Sequence, residues 1–125
     1  MLLEALIGIL IFSIGILALI AMQSVAVTQV RDAQYRATAS MLADRMMGNL
    51  VVLRNTSATE YSAIYTQWQA DVALALPAGV GTVTPSASAL GSGMQDIRIA
   101  INWQAPNATV TSNHLVVGLL SPNNL

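Results

Sequence analysis

The sequence predicts an α+β protein in which a long N-terminal α-helix carries a small antiparallel β-sheet packed on its C-terminal half. Three observations support this fold class. An apolar run with Glu4 as its one ionisable side chain opens the chain, an apolar stripe at helical spacing continues it to about Leu53, and the last third alternates apolar and polar residues as strands do. The first half of the helix is expected to span a membrane, because it is both long and apolar.

We divide the chain into a hydrophobic helical segment, residues 1–29, expected to cross a membrane, and an α+β head, residues 30–125, that includes the amphipathic half of the helix. Within the first segment, Ala5 to Met22 is apolar except for one serine and two glycines. At ~1.5 Å per residue this stretch makes a helix of roughly 27 Å. That length nearly matches the ~30 Å hydrocarbon core of a bilayer.

Glu4 is the one ionisable side chain of residues 1–29. An acidic residue within the apolar core of a membrane costs ~2.5 to 3.5 kcal/mol, so we expect Glu4 to have a partner. No lysine occurs, and Arg31 is the first arginine, so the nearest candidate is the amino group of a neighbouring chain at Met1, reached if the helices pack in parallel. The alternative is a carboxylate at headgroup level, stabilised by the helix dipole.

Gly8 and Gly15 are candidates for close packing between such helices. They are seven residues apart and therefore share a helix face to within about 20°. Small residues let helix backbones approach each other in lipid, and Ser13 is a third small residue of the same segment. The alternative is that glycine is simply frequent in membrane helices.

The opening of the chain, with Glu4 followed by Ala-Leu-Ile-Gly-Ile-Leu-Ile, resembles the mature N-terminus of type IV pilins and of the pseudopilins of type II secretion. The resemblance implies a basic leader removed by a prepilin peptidase, methylation of the new N-terminus and a glutamate that guides assembly. Only Met1 and Glu4 can carry that assembly role here. The glutamate is fourth where the family has it fifth, so we expect a processed chain that lacks one residue at its start.

The segment Ser40–Asn49 narrows the resemblance to the PilV-type minor pilins, which carry a similar pattern in the upper helix. The matching residues are Leu42, Ala43, Asp44, Arg45, Met46 and Asn49. Asp44 and Arg45 are adjacent and point about 100° apart, so they do not face each other on one helix. We expect each to contact a loop backbone or another subunit, the alternative being a solvated charged turn.

A second helix is predicted after the break at residues 54–57. Ser57-Ala-Thr-Glu60 has the pattern of a capping box, and an apolar stripe follows it until Pro77 and Gly79 end the helix. Trp68 lies on that stripe. An aromatic residue in such a stripe is far more often core than ligand site, so we expect Trp68 to pack against the sheet or the first helix.

The remainder of the chain predicts strands. Residues 79–84 are a short strand candidate, and residues 85–93 are a loop of small polar residues. Asp96–Gln104 alternates cleanly, placing Ile97, Ile99, Ile101 and Trp103 on one face. Residues 109–111 are expected to continue the sheet, and His114–Leu120 is the last strand.

Composition argues against several classes of function. The chain has 125 residues, 54% of them hydrophobic and 9% charged, with a formal net charge of −1. Its five arginines are scattered, so no nucleic-acid partner is predicted. With no cysteine and the single histidine His114, the sequence predicts no catalytic site, no metal site and no cofactor.

The resemblance implies a structural subunit that waits in the bacterial inner membrane with a periplasmic head and then joins an extracellular pilus through its N-terminal helix. The implied partners are other pilin-like subunits, the membrane, the prepilin peptidase and the pilus assembly machinery. Two alternatives remain open, a pseudopilin of a secretion system and a membrane-tethered binding domain that does not polymerise. Adhesion and protein transport are the processes that such filaments serve.

Overall fold

The computed structural model describes residues 1–53, 58–90, 94–106 and 108–120. Two helices come first, α1 (Leu2–Leu53) and α2 (Ala58–Ala75), followed by three strands, β1 (Val80–Ala87), β2 (Gln95–Trp103) and β3 (Ser112–Leu120). The strands form one antiparallel sheet in the order β1-β2-β3. The predicted α+β class, with a long apolar N-terminal helix and a small antiparallel sheet, is confirmed.

Contacts divide the chain into two compact units, Met1–Gln34 and Tyr35–Leu125. Every side chain of the first unit is exposed. Its helix is long and apolar enough to cross a membrane, and no residue of the most apolar stretch of that helix is buried within the protein. This segment is therefore compatible with membrane anchoring.

The second unit contains the hydrophobic core, to which α1, α2 and β2 each contribute one apolar face. The buried residues are Ala39, Leu42, Ala43, Met46 and Leu50 of α1, Trp68 and Val72 of α2, Leu76 just after it, and Ile97, Ile99, Ile101 and Trp103 of β2. The spacing of threes and fours in α1 and of twos in β2 is what makes these faces continuous. The predicted inward face of β2 is confirmed.

Two strand boundaries differ from the expectation. The sequence assigned Pro85 to a loop, yet β1 continues through it to Ala87. Proline has no N–H to donate and is tolerated on an edge strand, which is the position of β1 in the sheet. Residues 109–111 form no strand, and β3 begins instead at Ser112, where it pairs with Trp103.

The junction after α2 is a tight turn that reverses the chain into the sheet. Ala78 has a left-handed backbone with φ of 50°, and the Gly79 N–H donates to the Leu76 carbonyl at 3.0 Å. A Cβ at Gly79 would lie 2.5 Å from the Val72 carbonyl oxygen, so this close approach requires glycine.

The serine of the capping box predicted at the start of α2, Ser57, lies outside the described residues.

Candidate functional site

Glu4 lies in the first turn of α1, where the exposed amides of a helix N-terminus favour a carboxylate. Its side chain is exposed, like every residue around it. Glu4 forms no salt bridge with any of the described residues.

The small residues of the apolar segment leave open space on its surface. A Cβ added at Gly8 or at Gly15 would meet no atom within 4 Å. Ser13 is different, because its hydroxyl donates to the Ile9 carbonyl at 2.7 Å and is thereby satisfied within the helix. The two glycines therefore leave the surface of the helix open, whereas the Ser13 hydroxyl is already hydrogen-bonded within the helix.

Arg45 contacts the head through a residue that the sequence did not indicate. Its Nη1 donates to Asp71 Oδ2 of α2 at 3.3 Å, whereas the sequence suggested a loop backbone or another subunit as its partner. The Arg45 side chain is 62% exposed, which limits an ion pair of this kind to ~0–1 kcal/mol. Asp44 is exposed on the adjacent position of α1.

Around this ion pair lies a polar groove between α1 and α2, with a volume of about 220 Å³. Its lining comprises Arg45, Asn49, Ile64, Gln67, Trp68 and Asp71. The described residues contain no group of histidine, cysteine, aspartate and glutamate side chains that could hold a metal ion. The groove lies between the two helices, and its lining residues include no nucleophile paired with a base.

Trp68 is the main link between α2 and the rest of the head. It is 3% exposed, and its indole Nε1–H donates to the Leu42 carbonyl of α1 at 2.9 Å. Its ring also faces Gly81, where an added Cβ would lie 2.6 Å from Cζ3. Trp68 therefore contacts both the first helix and the sheet, whereas the sequence had suggested one or the other. Trp103, 2% exposed, belongs to the same core.

An aromatic row continues from Trp68 along α2. The Tyr61 and Tyr65 rings stack with centroids 6.0 Å apart, and Tyr65 lies 6.0 Å from Trp68. Burial raises the pKa of the Tyr61 phenol, and the neighbouring Tyr65 phenol adds to the increase. The helical spacing of these residues indicated one face, but nothing in the sequence indicated which strand that face would meet.

Gln69 was not singled out by the sequence, yet it hydrogen-bonds to β1 at one edge of the sheet. Its Nε2 donates to the Tyr65 hydroxyl at 2.9 Å and to the Gly81 carbonyl of β1 at 3.2 Å.

Comparison of the chain with protein families, with curated proteins and with solved structures found no significant match.

Proposed function

We propose that this chain is a structural subunit of a type IV pilus or a related filament, and that it assembles through its N-terminal helix. Glu4 would pair with the amino terminus of a neighbouring subunit, the group represented here by Met1. The observation that carries the proposal is the Glu4 carboxylate, which has no salt bridge among the described residues and begins an apolar segment, residues 1–34, in which every side chain is exposed. The N-terminal motif of the pilins supports the same assignment.

The physical argument begins with the environment of the helix. Lipid is as apolar as leucine, so apolar side chains alone give membrane helices little reason to associate. A carboxylate paired with an ammonium group in this low-dielectric setting supplies a directional contact, and it also sets the axial stagger between neighbouring helices. Gly8 and Gly15 would allow the backbones to approach closely enough for that contact, since no atom occupies the space beside them.

The head would have a supporting role in this assembly. It folds against the C-terminal half of α1 with its own core, so it does not need the apolar segment of the same chain for its packing. Assembly would then transfer the apolar segment from lipid to the interior of a filament. Both environments are apolar, so the transfer requires little change in the exposure of this segment to water.

The first test replaces Glu4. Glu4→Ala and Glu4→Gln should insert into the membrane normally, because each makes the helix less polar. Incorporation into filaments should fall strongly, since removing one partner of a buried ion pair typically costs about 3–5 kcal/mol. Blots of the membrane fraction give insertion, and the amount of the subunit in sheared filaments gives incorporation.

Glu4→Asp is the matched control, because it keeps the charge and shortens the side chain by one methylene. We expect it to retain partial incorporation, above that of Glu4→Gln. Normal incorporation of Glu4→Gln would show that no ion pair is required, and the proposal would be abandoned.

A further inference from the structure

β3 lies at the margin of the hydrophobic core. The core-facing side chains of β2, from Ile97 to Trp103, are buried, and none of them is more than 5% exposed. The residues of β3 on the same face of the sheet are only partly buried, and they are Ser112, His114, Val116, Gly118 and Leu120. The contacts that hold β3 against the helices are therefore open to solvent in part.

Met47 of α1 covers β3 at Gly118. A Cβ added at Gly118 would lie 2.5 Å from Met47 Cε and 2.7 Å from Met47 Sδ, so the end of the thioether rests against the glycine backbone. Met47 is only partly buried, whereas its neighbour Met46 is fully buried. Met47 therefore combines a packing contact with partial exposure to solvent.

The same face of β3 also buries a polar atom. His114 and Gly118 face the same way, because they pair with Ile101 and Ile97 of β2. The His114 Nε2 is buried without a hydrogen-bond partner among the described residues. Such an atom opposes burial of the strand, so the attachment of β3 to α1 depends more on apolar contacts such as that of Met47.

Thioether sulfur is the oxidisable sulfur of this chain, which has no cysteine and six methionines. A hydroperoxide transfers one oxygen atom to such a sulfur. The O–O bond breaks, an S–O bond forms, and the products are the sulfoxide and an alcohol or water, so the sulfur loses the two electrons that the peroxide gains. Exposure decides which methionines react first, and Met47 is intermediate between the exposed Met41 and the fully buried Met46.

The sulfoxide of Met47 does not fit the place of the thioether. The thioether already rests against the Gly118 backbone, so an added oxygen needs room at that contact. The S–O group is also polar, and a polar group held in an apolar contact without a donor is unfavourable. The end of the oxidised side chain would turn toward solvent, and Gly118 would lose its cover.

We propose that Met47 is a modification site for hydroperoxides, and that its oxidation loosens β3 from α1. Reduction of the sulfoxide restores the thioether and with it the contact at Gly118. The contacts of Trp68 with Leu42 and Gly81 lie away from β3, at the β1 edge of the sheet, so α2 stays in place. This proposal does not depend on filament formation.

The test treats the full chain in detergent micelles with hydrogen peroxide. Mass spectrometry of proteolytic peptides should show sulfoxide at Met47 well before Met46. Hydrogen exchange of the β3 amides should become faster once Met47 is oxidised, while exchange in α2 should keep its untreated rate. The melting temperature of the head should fall by about 4–8 °C, a shift of the size that loss of one side-chain contact causes in a domain of this length.

Matched variants assign the effect to one sulfur. Met47→Leu keeps the volume of the side chain and has no sulfur to oxidise, so it should keep its melting temperature after peroxide although the other exposed methionines still react. Met41→Leu removes an exposed methionine and should behave as the parent does. Methionine sulfoxide reductases should restore the exchange rate and the melting temperature of the oxidised parent.

Three results would overturn the proposal. Equal resistance of Met47 and Met46 to peroxide would show that solvent does not reach the Met47 sulfur. Unchanged exchange in β3 after oxidation of Met47 would show that the thioether does not hold the strand. Both results come from the parent chain, so they decide the question even if Met47→Leu folds poorly. An equal fall in melting temperature for the parent and Met47→Leu would assign the effect to another methionine.

Discussion

The absence of a side chain at Gly81 leaves room for the Trp68 ring where α2 meets the edge of the sheet. The indole ring occupies the space in which any side chain of residue 81 would begin. Gly118 on β3 makes a similar close approach, but to the end of the Met47 side chain, whose Sδ would lie 2.7 Å from an added Cβ. A rigid buried ring and a flexible thioether respond differently to the same added methyl group.

We therefore expect Gly81→Ala to be more destabilising than Gly118→Ala. Overpacking a well-packed core typically costs about 1–3 kcal/mol, and the Trp68 ring cannot move without losing its hydrogen bond to the Leu42 carbonyl. Met47 can change its terminal rotamers at less cost. Thermal melts followed by near-ultraviolet circular dichroism would compare the two variants, and equal losses would show that the Trp68 ring has room to shift.

Tyr61 makes the stability of the folded head decrease at alkaline pH. Burial, with a contribution from Tyr65, raises its pKa in the folded state, so the unfolded chain releases this proton first as the pH increases. The contribution of Tyr61 to stability is therefore complete below the ordinary tyrosine pKa of about 10 and decreases as the pH rises through the folded pKa.

Tyr61→Phe should flatten this part of the stability profile, because phenylalanine keeps the ring and has no proton to lose. Denaturant unfolding at a series of pH values from neutral to alkaline would measure the effect. If the parent and Tyr61→Phe lose stability in parallel above pH ~10, another group is responsible for the alkaline sensitivity.

At the scale of the elements, the sequence was most informative where one periodicity ran unbroken. The strict alternation in β2 identified its buried face, and the absence of Gly and Pro from residue 23 to residue 43 identified α1. The extension of β1 through Pro85 could not be predicted, because it depends on the edge position that tertiary pairing assigns. The Arg45–Asp71 pair depends similarly on how α2 packs on α1.

The buried face of β2 predicts a sharp difference between neighbouring positions. Ile99 is fully buried, so Ile99→Ala should cost ~2–5 kcal/mol, a large share of the ~5–15 kcal/mol that stabilises a domain. Asn102 faces the other side, where it accepts an exposed hydrogen bond from Asn113 at 2.6 Å, and Asn102→Ala should cost about 1 kcal/mol or less. Equal changes in melting temperature at the two positions would contradict the assigned faces.

At the scale of the whole molecule, the chain combines a segment that is exposed throughout with a head that has its own core. The glutamate and the glycines of the first segment were recognisable from the sequence, because a lone charge and small residues stand out in an apolar run. The position of β3 at one edge of the sheet was not recognisable, since the order of strands in a sheet is decided by pairing between distant residues.

If the chain assembles as proposed, packing between helices through the face that Gly8 and Gly15 share should be weakened by a larger side chain at either position. Gly8→Leu and Gly15→Leu, made separately, should reach the membrane at normal levels, because each makes the helix more apolar. Their amounts in sheared filaments should fall, since the added side chain holds neighbouring backbones apart. Ile11→Leu, which changes shape without adding volume, is the control. Parental incorporation of both glycine variants would assign the contacts to the bulky positions instead.

The contact of Trp68 with α1, where its indole N–H donates to the Leu42 carbonyl, can be followed by tryptophan fluorescence. Both tryptophans of the chain are buried in the core of the head, so intrinsic fluorescence reports on that core and on nothing in the apolar segment. With Trp103→Phe, the emission would come from Trp68 alone. A shift of that emission to longer wavelength would then signal separation of α2 from α1, even while the secondary structure is still intact.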